Sequence, residues 1–148
     1  MNCMRIFLAA AFILLFLAAT APAMEIQKYD SMSGEDRKDY FGLLLQGAGQ
    51  VLQDQGRTAD AQKVEKLFST TMPGDRDILG VLEFERNLAL LRQEDAHHAL
   101  AHPNDPRPEV EDAMAATLHM NGIELPDTFY KLASLRNFRP RSEQAKKK

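Results

Sequence analysis

After residue 33, apolar residues recur every three or four positions along most of the chain, the spacing of one helix face. The first helix is predicted over about 34 to 55, because Ser33 can cap its start and Gly56 follows as a left-handed stop. Its apolar face consists of Tyr40, Phe41, Leu44, Leu45, Ala48, Val51 and Leu52. A second helix is predicted to begin near Thr58 and to end at the Ser69 to Gly74 cluster. The two helices are therefore expected to form a hairpin.

The segment from Leu45 to Pro73 has small residues and a terminal proline at Gly49, Gly56, Ala61 and Pro73. With this spacing it resembles one tetratricopeptide-type unit, which implies a helical hairpin. Glu65 and Phe68 stand where that family prefers an aromatic residue and an alanine. No second copy follows at a period of about 34 residues, whereas a solenoid needs about three repeats. We therefore interpret the segment as a generic helical hairpin.

The third predicted helix is the longest and the most apolar. Asp75 or Asp77 can cap it, and it runs to about Leu100 before Pro103 ends it. Leucines extend its hydrophobic surface around the cylinder, so we expect this helix to be central and packed from several sides.

Two further helices complete the predicted domain. The fourth starts at Pro108, which suits a first helical turn, and ends at Asn121 and Gly122. The last runs from near residue 126 to about Phe138. No segment alternates apolar and polar residues as a half-buried strand would. The pattern predicts an all-α domain of about five helices, packed as a small bundle or as stacked hairpins.

Residues 1–23 have the pattern of a cleavable secretory signal peptide. Arg5 precedes an apolar run from Ile6 to Ala19, and Ala21-Pro22-Ala23 supplies the small residues of a cleavage site. Cleavage after Ala23 places the mature start at Met24. The alternative is an uncleaved anchor, but the apolar run is shorter than the roughly 20 residues that span a bilayer. We expect a periplasmic or secreted protein, with no stable membrane span after cleavage.

The remaining chain divides into a helical domain over residues 24–138 and a basic tail over residues 139–148. The domain contains 12 basic and 20 acidic residues, whereas the tail contains five basic residues and one acidic residue. An acidic body argues against a nucleic-acid-binding protein, because phosphates are neutralised by a basic face. The tail is predicted to be disordered. The single cysteine, Cys3, precedes the predicted cleavage point, so no disulfide is expected in the mature chain.

One cluster has the spacing of metal ligands. Glu94 lies three and four residues before His97 and His98, and His102 follows four residues after His98. Such pairs share a helix face, and imidazoles with a carboxylate can hold zinc, copper or nickel. The competing interpretation is structural, because cationic histidines also complement the dipole at the C-terminal end of a helix. No other cofactor is predicted.

Glu85 is the single most conspicuous carboxylate, because it falls between apolar residues on the predicted core face of the third helix. A buried carboxylate needs a partner, and Arg92 lies two turns further along the same side. Glu85 is thus a candidate either for a buried charge pair or for a group lining a ligand cleft. An enzyme using such carboxylates is the third functional class.

The sequence favours a non-enzymatic binding protein over an enzyme, since it contains no Gly-x-Ser-x-Gly elbow and no His-Glu-x-x-His pair. The expected partner is a protein or a small ligand in the exported compartment. An exposed, proline-stiffened loop together with the basic tail is the predicted partner surface. The loop residues are Pro103, Asp105, Pro106, Arg107 and Pro108. A metal-binding protein using Glu94, His97, His98 and His102 is the alternative function.

Overall fold

The computed structural model describes residues 24–70 and 78–145, and these residues form helices joined by loops, with no β-strand among them. The prediction of an all-α protein is confirmed. The helices are α1 (Ile26–Asp30), α2 (Gly34–Asp54), α3 (Thr58–Leu67), α4 (Leu79–Ala101), α5 (Val110–Met120), a 3-10 turn (Phe129–Lys131), α6 (Ala133–Arg136) and α7 (Arg141–Ala145). The sequence pattern did not predict α1.

Helix α2 begins and ends where the capping residues predict. The Ser33 hydroxyl oxygen accepts a hydrogen bond from the Asp36 backbone N–H at 3.1 Å. Gly56, just beyond the helix, has a φ of +73°, the left-handed conformation that favours glycine. The prediction of a helix over about 34 to 55 is therefore confirmed.

Helix α2 packs against α3, and α4 packs against α5, so neighbouring helices in sequence form the two main packed pairs. Three aromatic rings connect the two pairs. The ring centroid of Phe41 on α2 lies 5.7 Å from that of Phe68, next to α3, and 4.9 Å from that of Phe84 on α4. The predicted caps of α4, Asp75 and Asp77, lie outside the described residues. Helix α5 begins at Val110, two residues later than predicted, and Glu109 is its N-cap.

Helix α4 is not the central helix that its composition predicted. Its buried residues, Gly80, Phe84, Asn87, Leu88 and Asp95, lie on one face. Leu82, Leu90 and Leu100 on other sides are 42%, 51% and 88% exposed. The outer face of α4 is therefore a surface on which leucines are accessible to solvent.

The C-terminal part of the domain is less regular than the single helix predicted there. A 3-10 turn and the four-residue helix α6 are separated by Leu132, whose backbone is extended. The side chain of Leu132 lies against Gly47 of α2, where an added Cβ would be only 2.6 Å away. Phe129 and Leu135 on either side are buried in the core. Gly47 thus lets this segment pack closely against α2.

The tail also differs from the disordered segment predicted from residue 139. Its residues 141–145 form α7, and the backbone N–H of Arg141 donates to Asp36 Oδ1 at 2.8 Å. The Arg141 guanidinium lies 2.7 Å from Asp39 and 3.4 Å from Glu35. Arg141, near the start of the tail, is thus held against the acidic residues at the N-terminal end of α2.

The predicted signal peptide, residues 1–23, lies outside the described residues. Among residues 24–70 and 78–145, no helix combines the length and the apolar character needed to cross a lipid bilayer.

Candidate functional site

The last two turns of α4 and the loop that follows form a pocket of about 430 Å³. Its lining includes Glu94, His97 and His98 from α4, and Pro106 and Pro108 from the loop. The helix ends at Ala101 because Pro103 prevents its continuation, and the chain then returns beside the helix. Most of the predicted metal cluster and part of the predicted partner loop therefore lie at one place.

His98 is the centre of the titratable cluster at this pocket. Its ring centroid lies 5.1 Å from that of His102, and its Nε2 lies 3.4 Å from Asp105 Oδ2. His102 lies beyond the helix, with a φ of −140° and a ψ of 69°. Within the described part of the chain, no group of three or more His, Cys, Asp or Glu side chains is arranged to hold a metal ion.

Arg107 fixes the position of the loop. Its guanidinium donates to both carboxylate oxygens of Asp95, at 2.6 and 3.3 Å, and Asp95 is only 6% exposed. The arginine predicted to contact a partner is thus engaged within the protein. Pro103, Asp105 and Pro106 are exposed, as the partner-surface hypothesis requires. Arg107 belongs to the scaffold of the loop and those three residues to its accessible side.

The prediction that Glu85 is a buried charge is wrong. Glu85 is exposed. The buried face of α4 is centred on Phe84 and Leu88, and Glu85, the residue after Phe84, is rotated about 100° around the helix axis from it. Arg92 donates instead to both oxygens of Asp30, at 2.8 and 2.6 Å. Glu85 lines a second pocket of about 350 Å³, together with Tyr29, Gly34, Arg37, Lys38, Phe41 and Val81. The ligand-cleft alternative for Glu85 stays a prediction.

The most deeply buried carboxylate of the described residues is Glu111, in the first turn of α5, which is 1% exposed. The Tyr40 hydroxyl donates to its Oε1 at 2.5 Å, and the Met24 backbone N–H donates to its Oε1 and Oε2 at 3.3 and 3.2 Å. Burial raises the pKa of Glu111, and the Tyr40 hydrogen bond opposes that increase. Burial and the nearby Glu111 charge both raise the pKa of Tyr40.

Next to this carboxylate, burial, together with the charges of Glu111 and Asp112, raises the pKa of Glu109 to about 7. This cluster was not predicted from the sequence, because acidic residues in the first turn of a helix are also explained by the positive end of the helix dipole. A signal was available, since Glu111 lies three and seven residues before Met114 and Leu118, which are both buried. That spacing places Glu111 on the core side of α5.

Comparisons of the chain with protein-family models, with curated proteins and with solved structures gave no significant match.

Proposed function

We propose that this chain is an exported binding protein without catalytic machinery, and that the pocket at the end of α4 is its ligand site. One observation carries the proposal: two groups of residues that stand out in the sequence for different reasons line the same pocket. These are the Glu94, His97 and His98 cluster and, from the proline-rich loop, Pro106 and Pro108. Ligand sites combine apolar walls with a few polar groups in this way.

The lining favours a ligand with a positively charged group on an aliphatic stem. Glu94 supplies a carboxylate, and the rings of Pro106 and Pro108 supply apolar walls. The domain over residues 24–138 has 12 basic and 20 acidic residues, a net charge of −8, which attracts a basic partner over longer distances. A lysine or arginine side chain of a partner protein has this chemistry.

Nuclear magnetic resonance titration with a pentalysine peptide tests the site. We expect chemical-shift changes confined to residues 94–108, and none with the same peptide acetylated on its lysines. Glu94→Gln is expected to weaken binding about fivefold, which corresponds to about 1 kcal/mol for one lost charge contact. Glu124→Gln is the matched control, because Glu124 is an exposed carboxylate paired with a histidine, His119, outside the pocket. Equal weakening by the two variants, or shifts spread over the acidic surface, would contradict the proposal.

Export is a separate part of the proposal and has its own test. The intact mass of the protein recovered from the periplasm or the medium should correspond to a chain that begins at Met24. A recovered chain that retains residues 1–23 would contradict export by a cleaved signal peptide.

Metal binding by Glu94, His97, His98 and His102 is the second candidate function. The observation in its favour is the 5.1 Å separation of the His98 and His102 rings, with Asp105 beside His98 as a potential third ligand. Since no complete ligand set is in place among the described residues, binding requires a side-chain rearrangement in the loop.

A thermal-shift titration with zinc, copper and nickel tests this candidate. A metal that binds the folded chain at 100 times its Kd stabilises it by about 2.7 kcal/mol and raises Tm. His98→Ala and His102→Ala should each abolish the increase, while His119→Ala should retain it because His119 pairs with Glu124 elsewhere. The absence of a shift with all three metals would exclude this function.

A further inference from the structure

The backbone nitrogen of Met24 donates a buried hydrogen bond. The Met24 backbone nitrogen lies 3.3 and 3.2 Å from the two carboxylate oxygens of Glu111, and the Met24 side chain is 5% exposed. The next contacts hold the segment in place: Met24 O accepts from the Val110 N–H at 2.9 Å, and Glu25 forms an antiparallel bridge with Glu109. Met24 is therefore docked on the first turn of α5 rather than projecting from the surface.

The surroundings of Glu111 are rich in acidic groups. The charged and titratable side chains around it and its neighbour Glu109 are Glu25 before α1, Tyr40 on α2, Glu109 and Asp112 on α5, Tyr130 on the 3-10 turn and Arg136 on α6. The two donors described above, a phenol and a backbone N–H, are neutral. A buried carboxylate is costly unless it is paired and hydrogen-bonded, and a cation at one of these donors would reduce the cost.

We propose that Met24 is a processing site whose new amino terminus is received by Glu111. Hydrolysis of the Ala23–Met24 peptide bond by an endopeptidase, with one water consumed, leaves a carboxylate on Ala23 and an α-ammonium group on Met24. The Met24 nitrogen already lies against Glu111, so the new ammonium group forms a buried ion pair with it. The inference rests on the proposed export, because a signal peptidase is the enzyme class that cleaves after Ala21-Pro22-Ala23.

The chemical change at this nitrogen is large although its position is unchanged. A backbone amide donates one hydrogen and carries no charge, whereas an α-ammonium group donates three and carries a full positive charge. Hydrogen bonds between charged partners are roughly twice as strong as neutral ones. The processed chain is therefore more stable than the same chain with its terminal charge removed. Cleavage thus creates the charged group that stabilises the folded domain.

The proposal also fixes the cleavage point. Cleavage after Ala21 would leave Pro22 and Ala23 in front of Met24 and move the positive charge two residues away from Glu111. Only a chain that begins at Met24 places the ammonium group at the carboxylate.

The experiment compares a chain that begins at Met24 with the same chain acetylated on its α-amino group. This chain contains every residue that the structure describes, and acetylation keeps an N–H donor but removes the charge. Urea unfolding at pH 7 is expected to show an unfolding equilibrium constant at least about tenfold higher after acetylation, a loss of about 1.4 kcal/mol. In a Glu111→Gln background the difference is expected to be less than threefold. In a Glu109→Gln background, the matched control, the tenfold difference should persist.

The pKa of the Met24 α-amino group is a second readout, which stands even if Glu111→Gln fails to fold. Pairing with Glu111 should raise that pKa above the ordinary value of about 7.7–8.0. Its contribution to stability is then complete below the ordinary pKa and is lost as pH rises through the raised value. An unshifted amino group, or equal effects of acetylation with and without Glu111, would overturn the proposal. Failure of the export proposal is distinguished by mass. The chain recovered from cells would then not begin at Met24, whatever stability the chain that begins at Met24 shows in the unfolding experiment.

Discussion

Replacement of Leu88 by alanine should lower the free energy of unfolding by about 3 kcal/mol, the range found for fully buried leucines. Leu88 has no exposed surface and lies on the one face of α4 that contributes to the core. The lost methyl groups remove apolar burial and leave a cavity that a close-packed interior fills only in part. Urea unfolding followed by circular dichroism measures the change, because the chain contains no tryptophan for fluorescence.

Leu90→Ala is the matched control for Leu88→Ala. It makes the same chemical change on the same helix at a residue that is 51% exposed. We expect its effect to lie within about 0.5 kcal/mol of zero. A loss at Leu90 as large as that at Leu88 would mean that the outer face of α4 is covered in solution, and the assignment of that face to solvent would then be wrong.

The contrast between these two leucines shows why part of the fold followed from the sequence and part did not. Helix α2 was predicted nearly to the residue because Ser33 and Gly56 mark its ends through local backbone chemistry. The buried face of α4 was not, since its leucines surround the helix and give no single apolar stripe. Glu85 was consequently placed in the core although it is exposed.

Contacts between distant parts of the chain were the second limit. Arg107 and Asp95 are separated by 12 residues and a proline-rich loop, and no periodicity connects them. Glu111 and Met24 are separated by 87 residues. The spacing of Glu111 from Met114 and Leu118 predicts its burial, but only the folded structure shows that the Met24 backbone meets it there. The candidate residues of the pocket were found from sequence because they are close together along the chain.

The pocket at the end of α4 depends on a contact that the sequence analysis assigned to a partner. The bidentate pair of Arg107 with Asp95 lies between the two prolines that line the pocket and the helix that supplies its polar groups. Arg107 therefore acts as a positioning residue. Its loss should change both the stability of the chain and the binding of a cationic ligand, although its side chain is not among the residues that line the pocket.

Arg107→Ala should lower the free energy of unfolding several times more than the loss of an exposed pair does, because it leaves a nearly buried carboxylate without its cationic partner. Arg92→Ala is the matched control: Arg92 forms a similar bidentate pair on α4, but its partner Asp30 is 38% exposed. That variant should cost only about 0.5 kcal/mol, as exposed pairs do. Urea unfolding measures both changes, and pentalysine titration should show weakened binding for Arg107→Ala alone.

A double variant separates two contributions: the loss of the Arg107–Asp95 ion pair and the burial of an Asp95 carboxylate without a partner. In Asp95→Ala combined with Arg107→Ala the carboxylate is absent, so the loss should be smaller than in Arg107→Ala alone, as expected when both partners of a buried contact are removed. Equal losses for Arg107→Ala and Arg92→Ala would show that burial of Asp95 contributes nothing to the pair. Unchanged pentalysine binding by a folded Arg107→Ala chain would show that the prolines hold their positions without the arginine, and the loop would then be stiff through its own backbone.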